Sequence, residues 1–309
     1  MMNPMTIRGS QIELVEVGPR DGLQIEGVIL PTATKVELIE RLIGAGLRRI
    51  EVTSFVHPKR VPQMADAEEV LAHLGRRPGV SLMGLVLNRK GFDRALEAGC
   101  DAIGMAVVAS ETFSMRNQGE STERSIASWL DIAAAAHAAG IRPNVTISAA
   151  FGCPFEGEVD PDRVIDIALR CAEARPVEIA LADTIGAAVP SQVSELFGRL
   201  RAHLPHMPLR AHFHNTRNTG IANAYAALVA GVRALDASVG GIGGCPFAPA
   251  ATGNIATEDL LYMLNRMGVE TGVAIDALIE TARWLEAQLA KPVPGMLVKA
   301  GTFPRVQSR

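Results

Sequence analysis

The sequence predicts an α/β protein built as a (β/α)8 TIM barrel with an additional C-terminal helix. Strand-like apolar segments alternate with helical patterns eight times over about 250 residues, and this repeat is typical of a barrel. A doubly wound sheet of roughly five or six strands would need fewer units. The chain has 309 residues, a length that accommodates one barrel with extensions.

The strands and helices follow from the spacing of apolar residues and from the turn residues between them. The predicted strands cover residues 12–17, 49–54, 80–87, 102–108, 144–149, 178–182, 209–213 and 234–239. The predicted helices cover residues 32–45, 64–74, 89–98, 121–139, 161–174, 190–203, 219–230 and 257–267.

A further helical pattern over residues 276–289 follows the eighth unit. We expect it to pack on the barrel or on a neighbouring subunit, and the alternative is a surface helix without a partner. From residue 291 onward the Pro-Val-Pro-Gly pattern predicts a loop. No linker or low-complexity tract interrupts the chain, so residues 1–309 are expected to form one catalytic domain, with the barrel at about 10–270 and the helix and tail at about 271–309.

The composition restricts the partners. The formal net charge is -3, and acids and bases are spread along the chain, which argues against a nucleic-acid surface or a polybasic membrane anchor. No stretch approaches the 18 uncharged apolar residues of a membrane span. The four cysteines, at positions 100, 153, 171 and 245, form no C-x-x-C pair. We therefore expect a cytoplasmic protein, in a reducing compartment, with a small-molecule partner.

Polar residues collect near the carboxyl ends of the predicted strands, where a barrel carries its chemistry. In chain order they are Arg20 and Asp21 after strand one, Glu51 on strand two, Asp183 at the end of strand six, His212 and His214 on strand seven, and Asn254 beyond strand eight. Strand parity does not resolve which of Arg20 and Asp21 points inward, because both lie in a turn.

The pair His212 and His214 suggests a metal site. The two residues are two positions apart in an apolar strand, so both imidazoles project to the same side and can hold one ion. Asp21 and Asn254 would add a carboxylate and an amide oxygen. Such a mixed set with open positions suits Mg²⁺ or Mn²⁺ better than Zn²⁺. The alternative is a pair of lumen histidines hydrogen-bonded to their neighbours.

Three more residues allow a functional and a structural interpretation. Arg20 is a surface charge or a fixed cation facing a developing oxyanion. Cys245 follows four glycines in five positions, so its thiol either approaches a ligand or is a small buried group. Asp183 caps the following turn or orients a ligand. The glycines also resemble a barrel phosphate site, which makes a phospho-sugar enzyme a competing function.

Three long motifs resemble 3-hydroxy-3-methylglutaryl-CoA lyases. They are residues 15–24 (VEVGPRDGLQ), residues 53–64 (TSFVHPKRVPQM) and residues 238–247 (SVGGIGGCPF), the last followed by residues 253–264 (GNIATEDLLYML). The resemblance covers roughly residues 10–285. The wider superfamily of metal-dependent, DRE-type barrels shares an Arg-Asp pair after strand one and H-x-H on strand seven, and includes isopropylmalate and homocitrate synthases.

The resemblance implies a role for each matched residue. The implied metal ligands are Asp21, His212, His214 and Asn254; the enolate-stabilising and substrate-binding arginine is Arg20; the loop cysteine is Cys245; and the supporting positions are Glu51 and Asp183 for catalysis and Gln24 and Glu258 for substrate binding. The implied reaction is a retro-Claisen cleavage of a 3-hydroxyacyl-CoA, giving acetyl-CoA and a 3-oxo acid, usually acetoacetate.

The chemistry agrees with these implied roles. His212 or Asp21 would take the proton of the C3 hydroxyl, Arg20 would stabilise the thioester enolate, and the thiol of Cys245 would protonate C2. The pyrophosphate of the CoA would meet Lys59 or Arg60. The family also implies leucine degradation and a homodimer or homotetramer.

One segment departs from the family pattern. After His214 the family usually reads Asp-Thr-Tyr-Gly-Gln, whereas residues 215–219 read Asn-Thr-Arg-Asn-Thr. Arg217 could contact a second substrate carboxylate or a different C3 substituent, so a related 3-hydroxyacyl-CoA is an alternative substrate. A condensing synthase of the same superfamily and a non-catalytic metal- or CoA-binding homologue are competing interpretations of the same motifs.

Overall fold

The computed structural model describes residues 7–244 and 253–303, and its eight parallel strands close into a barrel. Neighbours in the barrel are neighbours in the chain, and the last strand pairs with the first. The strands are β1 Glu13–Glu16, β2 Arg49–Ser54, β3 Ser81–Leu85, β4 Ala102–Val108, β5 Arg142–Ser148, β6 Ile179–Asp183, β7 Leu209–Phe213 and β8 Ala234–Ala237. The predicted TIM barrel is confirmed.

Helices alternate with the strands. They are α1 Thr32–Gly44, α2 Ala67–Leu74, α3 Arg89–Glu97, α4 Glu111–Asn117, α5 Thr122–Ala138, α6 Pro161–Ala172, α7 Pro190–His203, α8 Gly220–Val229, α9 Thr257–Arg266, α10 Ile275–Leu289 and α11 Leu297–Ala300. The sequence prediction missed α4, because its seven residues bury only Phe113 and Ser114 and show no helical period. The prediction of a loop after residue 291 was wrong over α11, whose single turn begins where Asp259 accepts the backbone N–H of Leu297.

The side chains of each strand divide between the lumen and the surrounding helices. On β7, Ala211 and Phe213 are buried in the large apolar core between strands and helices, while the alternate residues face the lumen. A smaller buried cluster, built around Val15, Val17 and Met83, fills part of the lumen. The remaining lumen-facing positions carry the polar groups described below.

Helix α10 packs on its own barrel, which is one of the two arrangements expected for it. The backbone N–H of Ala274 donates to Ala45 O at 2.7 Å, just after α1. The guanidinium of Arg41 on α1 lies over the ring of Trp284 on α10, 4.7 Å from its centroid. In the described part of the chain, no helix is long and apolar enough to cross a membrane.

Candidate active site

A cavity of about 440 Å³ opens at the carboxyl ends of the strands. Its polar lining contains most of the residues that the sequence pointed to, together with further charged groups from β7, β8 and α4. The polar and charged lining residues include Arg20, Asp21, Gln24, Glu51, Arg60, Arg116, Arg210, His212, His214 and Asp236. Apolar side chains from β3 and the β2–α2 loop also line the cavity.

A tight turn brings both Arg20 and Asp21 to the cavity. Residues Gly18–Gly22 form a single π-helical turn, and the carbonyl of Val17 accepts the N–H groups of Arg20, Asp21 and Gly22 at 2.7–3.2 Å. Pro19 at the start of the turn has no N–H that would need a partner. Both side chains line the cavity, so this turn settles the orientation that strand parity left open.

The two histidines converge on one point. Their Nε2 atoms are 3.1 Å apart, and His214 Nε2 is 4.0 Å from Asp21 Oδ2. Donor atoms of Asp21, His212 and His214 all lie within 4.8 Å of one another, which is the spacing of a three-ligand metal site. The expectation that both imidazoles project to the same side is confirmed.

Asn254 lies beside this group and has one amide atom without a partner in the described chain. Its Nδ2 donates to Asp21 Oδ2 at 2.8 Å and to Ile242 O at 3.2 Å. Its Oδ1 is buried and has no hydrogen-bond partner among the residues that the structure describes. A buried amide oxygen without a partner is costly, and a divalent cation would satisfy it.

The electrostatics of the site suit a cation. Burial raises the pKa of Asp21, but Arg20 and the two imidazoles outweigh burial and lower that pKa to about 2. Burial and the neighbouring His212 lower the pKa of His214 to about 3, so its imidazole is neutral near pH 7. Burial opposes the charge of His212, whereas its hydrogen bond to Asp236 and the charge of that residue raise its pKa.

Arg20 is fixed by two carboxylates. Its Nε and Nη2 donate to Glu51 Oε2 at 2.8 and 2.6 Å, and its Nη1 donates to Asp21 Oδ1 at 2.5 Å. Burial opposes the charge, but Asp21 and Glu51 outweigh it and raise the pKa of Arg20. A guanidinium has five N–H donors, so one N–H on each terminal nitrogen remains for a ligand.

Sequence reasoning missed the ion pair beneath the histidines. Asp236 Oδ2 lies 3.1 Å from His212 Nδ1, and both oxygens of Asp236 accept from Arg210 Nη1 at 2.7 Å. Arg210 Nε also donates to Glu178 Oε1 at 2.5 Å. The alternation of side chains along β8 places Asp236 on the lumen side, but its pairing with His212 on β7 requires the register of the two strands, which the sequence does not contain.

Three predicted residues, Asp183, Glu258 and Arg217, do not line the cavity. Asp183 accepts the N–H groups of the turn after β6 with both oxygens, at 2.8 and 3.0 Å, and so caps that turn. Glu258 is fully buried and accepts the N–H of Gly240. Arg217 Nη1 donates to two carbonyls of the β6–α7 loop at 2.9 and 3.0 Å. Cys245 lies outside the described residues, although Gly244 lines the cavity.

Of the three other residues predicted to contact the substrate, two line the cavity. Gln24 lines the cavity, and its buried Oε1 has no partner in the described part of the chain. Arg60 also lines the cavity, whereas Lys59 does not contribute to the described lining. The catalytic and substrate-binding roles of all these side chains remain predictions.

Comparisons with known proteins find relatives that match most of the chain. Residues 11–285 match the family model described as HMGL-like. The (R)-citramalyl-CoA lyase of Chloroflexus aurantiacus is 44% identical over 96% of this chain and 97% of its own length. The hydroxymethylglutaryl-CoA lyase of Pseudomonas mevalonii is 46% identical over 90% of this chain and 92% of its own.

A solved structure extends the similarity to three dimensions. The HMG-CoA lyase of A. baumannii, in complex with coenzyme A and 3-methylmalate, superposes with a TM-score of 0.92 at 39% identity, covering 97% of this chain and 98% of that one.

Fold and relatives together define a TIM-barrel enzyme that cleaves carbon–carbon bonds in acyl-CoA compounds. More particularly, the chain belongs to the HMGL-like family.

Proposed function

We propose that this protein cleaves the C2–C3 bond of a 3-hydroxyacyl-CoA that carries a carboxylate, using Mg²⁺ or Mn²⁺ bound beside Arg20. One observation carries the proposal: the donor atoms of Asp21, His212 and His214 converge within 4.8 Å in the cavity that Arg20 also lines. The products are acetyl-CoA and an oxo acid. The coenzyme A in the A. baumannii relative supports an acyl-CoA ligand.

The donor set fits a divalent cation that prefers oxygen and imidazole ligands. Asp21 offers a carboxylate, the two histidines offer Nε2, and Asn254 offers the buried Oδ1 that has no protein partner in the described structure. When bound there, the ion supplies a Lewis acid that makes the C3 hydroxyl easier to deprotonate.

Arg20 stabilises the charge that forms during cleavage. As the C2–C3 bond breaks, its electron pair moves to C2 and onto the thioester oxygen as an enolate, while C3 becomes a carbonyl carbon. The substrate lacks this negative charge before cleavage, so a fixed guanidinium lowers the barrier more than it tightens substrate binding. Glu51 holds the guanidinium in place through two hydrogen bonds.

Two protons move in the cycle. The proton of the C3 hydroxyl passes to the carboxylate of Asp21 or to His212, the two candidate bases beside the convergence point. An Nε2 atom that holds the ion has no lone pair left for a proton, so His212 acts as the base only if Asp21, His214 and Asn254 hold the ion without it. A proton then returns to C2, and we assign it to the thiol of Cys245, which follows the lining residue Gly244 by one position. Asp183 acts through the turn that it caps.

Two substrates are the leading candidates. 3-Hydroxy-3-methylglutaryl-CoA would give acetyl-CoA and acetoacetate, as the names of most similar relatives suggest. (R)-Citramalyl-CoA would give acetyl-CoA and pyruvate. The departure at residues 215–219 from the usual family pattern favours a substrate other than 3-hydroxy-3-methylglutaryl-CoA, and the 44% identical C. aurantiacus relative makes (R)-citramalyl-CoA that alternative.

A substrate panel tests the proposal. Purified protein is incubated with Mg²⁺ and either thioester, and acetyl-CoA, acetoacetate and pyruvate are quantified separately. We expect acetyl-CoA in equal amount to one of the two oxo acids. If neither thioester, nor any related 3-hydroxyacyl-CoA carrying a carboxylate, releases acetyl-CoA, the proposed function is wrong.

The cellular setting follows from the same proposal. We propose a cytoplasmic homodimer or homotetramer, with a place in leucine degradation if the substrate is 3-hydroxy-3-methylglutaryl-CoA. Arg60 on the cavity lining is suited to the CoA pyrophosphate, because a guanidinium pairs with phosphate oxygens bidentately.

A further inference from the structure

The buried carboxylate of Glu16 contacts three separate segments behind the cavity. Glu16 is the last residue of β1 and is fully buried. Its Oε1 accepts the backbone N–H groups of Gly18 at 2.8 Å and of Val239 at 2.9 Å. Its Oε2 accepts the hydroxyl of Thr257 at 2.7 Å. One side chain therefore joins segments that are more than two hundred residues apart in sequence.

Each of the three contacts lies at the base of a segment that carries site residues. Gly18 begins the turn that presents Arg20 and Asp21. Val239 begins the glycine turn after β8. Thr257 is the first residue of α9, three positions after Asn254. Asp21 and Asn254 are hydrogen-bonded to each other. The distance between them therefore depends on how Glu16 holds the start of the segment that carries each one.

The close packing around Glu16 leaves little freedom in these bases. A Cβ atom added at Gly18 would lie 2.6 Å from Glu16 Oε1, so the turn can approach this closely only with glycine there. The neighbouring Gly240 is held as well: its N–H donates to Glu258 Oε2 at 3.0 Å and its carbonyl accepts the N–H of Gly295 at 2.9 Å.

The energetics favour a positional role over a purely stabilising one. Burial raises the pKa of Glu16 to about 7, although three hydrogen bonds act to lower it. Burying a carboxylate costs free energy that an apolar side chain of similar volume would not cost. A buried acid with three directed hydrogen bonds fixes the relative positions of the groups that it contacts, whereas an apolar side chain does not.

We propose that Glu16 is a positioning residue of the divalent-cation site, fixing the carboxylate of Asp21 relative to the amide of Asn254. This inference rests on the proposed function, because it assumes that these two side chains hold an ion. Glu16 itself does not line the cavity. It acts through the turn Gly18–Gly22, the glycine turn Val239–Gly241 and the first residue of α9.

The test is Mn²⁺ binding to the full chain without substrate, measured by calorimetry. Glu16→Ala is expected to weaken Mn²⁺ binding by about tenfold to a hundredfold, as for other residues that orient metal ligands. Glu16→Gln keeps an oxygen that accepts the two N–H groups, so we expect binding within about threefold of wild type.

A matched threonine pair keeps the inference falsifiable if Glu16→Ala does not fold. Thr257→Val removes only the hydroxyl that Glu16 accepts. Thr281→Val removes an equally buried hydroxyl on α10, which donates only to Ala277 O, and serves as the control. We expect weaker Mn²⁺ binding in the first variant and unchanged binding in the second.

The outcomes separate the two proposals. If Thr257→Val and any folded Glu16→Ala protein bind Mn²⁺ as tightly as wild type does, the positioning role is overturned. This holds even if both variants are less stable. A wild-type protein that binds no divalent cation would overturn the proposed function and this inference together.

Discussion

His212 connects the buried ion pair of Asp236 and Arg210 to the cavity, which its own side chain lines. Its Nδ1 contacts Asp236, which leaves Nε2 as the atom that faces His214 and Asp21. Both carboxylate oxygens of Asp236 accept hydrogen bonds from Arg210. A histidine whose second nitrogen is held by a carboxylate keeps one tautomer and one ring orientation, which favours metal binding through Nε2.

Replacing Asp236 tests this chain of contacts. Asp236→Asn keeps the shape but removes the charge that His212 and Arg210 share. We expect Mn²⁺ affinity to fall by about tenfold to a hundredfold, measured by titration of the chelator-treated protein. Asp101→Asn is the matched control, because Asp101 accepts the N–H of Leu82 at the opposite end of the barrel. Equal affinity in both variants would refute the role of Asp236.

Arg20→Met separates binding from chemistry. The variant loses the guanidinium that faces the developing enolate but keeps all four proposed ligands. We expect kcat to fall by about a hundredfold to a thousandfold, the usual cost of removing one oxyanion donor, with Mn²⁺ still bound. Near-normal kcat would show that Arg20 does not stabilise the enolate.

At the residue scale the sequence predicted those ligands whose spacing or order in the chain indicated a role. The two-residue spacing of His212 and His214 indicated one shared point, and the structure brings Asp21 to it. Asp236 and Arg210 escaped notice, because an isolated charge in a short apolar strand has no recognisable partner until the pairing with the adjacent strand is known.

At the scale of elements, the site depends on two turns that approach each other closely. The turn Gly18–Gly22 carries Arg20 and Asp21, and Ile242 and Gly243 of the segment after β8 lie directly beside it. Gly243 has a φ of +107°, which L side chains rarely adopt. A Cβ atom added there would lie 2.6 Å from Asn254 Nδ2 and 3.1 Å from Asp21 O.

Gly243→Ala is therefore expected to displace Asn254 and to weaken the site. We expect kcat/KM to fall by at least about tenfold, since a small displacement of positioned groups costs up to about a hundredfold. Gly198→Ala is the control, because Gly198 lies in α7 with open space at its Cβ position, and the change should stabilise the helix by about 0.5–1 kcal/mol. Unchanged kcat/KM in Gly243→Ala would contradict the close approach.

Elements with strong periodicity were predicted well, and short ones were not. The strand limits agree with the structure to within two residues, and α10 was predicted from residue 276 against an observed start at Ile275. Helices α4 and α11 have seven and four residues, too few to repeat an apolar pattern. Both depend on contacts with distant segments, which a local pattern does not contain.

At the scale of the whole molecule, eight alternating units were enough to predict the closed barrel, because a parallel strand needs a crossover helix before the next strand. We propose that residues 1–309 form one catalytic domain. Helix α10 packs on α1, and the chain after it reaches the glycine turn through Gly295, so the C-terminal part contributes to the base of the site.

Stability should depend on pH through Glu258. Burial raises its pKa from an ordinary 4.5 to about 8, so the folded state binds more protons than the unfolded state between these pH values. The stabilising contribution of the protonated acid is therefore complete below pH 4.5 and is lost as pH rises toward 8. Asp21 and His214, whose pKa values are lowered, act in the opposite direction at lower pH.

The difference between wild type and Glu258→Gln isolates this contribution. A neutral amide cannot ionise, so the variant should gain stability relative to wild type as pH rises from about 5 to 8, by at most about 1.4 kcal/mol per pH unit. Urea unfolding at several pH values measures the difference. Glu280→Gln, on the exposed face of α10, is the control for the loss of one carboxylate. If the difference in unfolding free energy between wild type and Glu258→Gln did not change with pH, the raised pKa of Glu258 would be refuted.

The central claim is that a divalent cation at Asp21, His212, His214 and Asn254 enables cleavage of an acyl-CoA, and one measurement tests it most directly. Protein stripped of metal by a chelator is incubated with 3-hydroxy-3-methylglutaryl-CoA and (R)-citramalyl-CoA, and acetyl-CoA release is followed before and after Mg²⁺ or Mn²⁺ is added. We predict no release from the stripped protein and restored release on adding either ion. Equal release with and without the ion would contradict the claim.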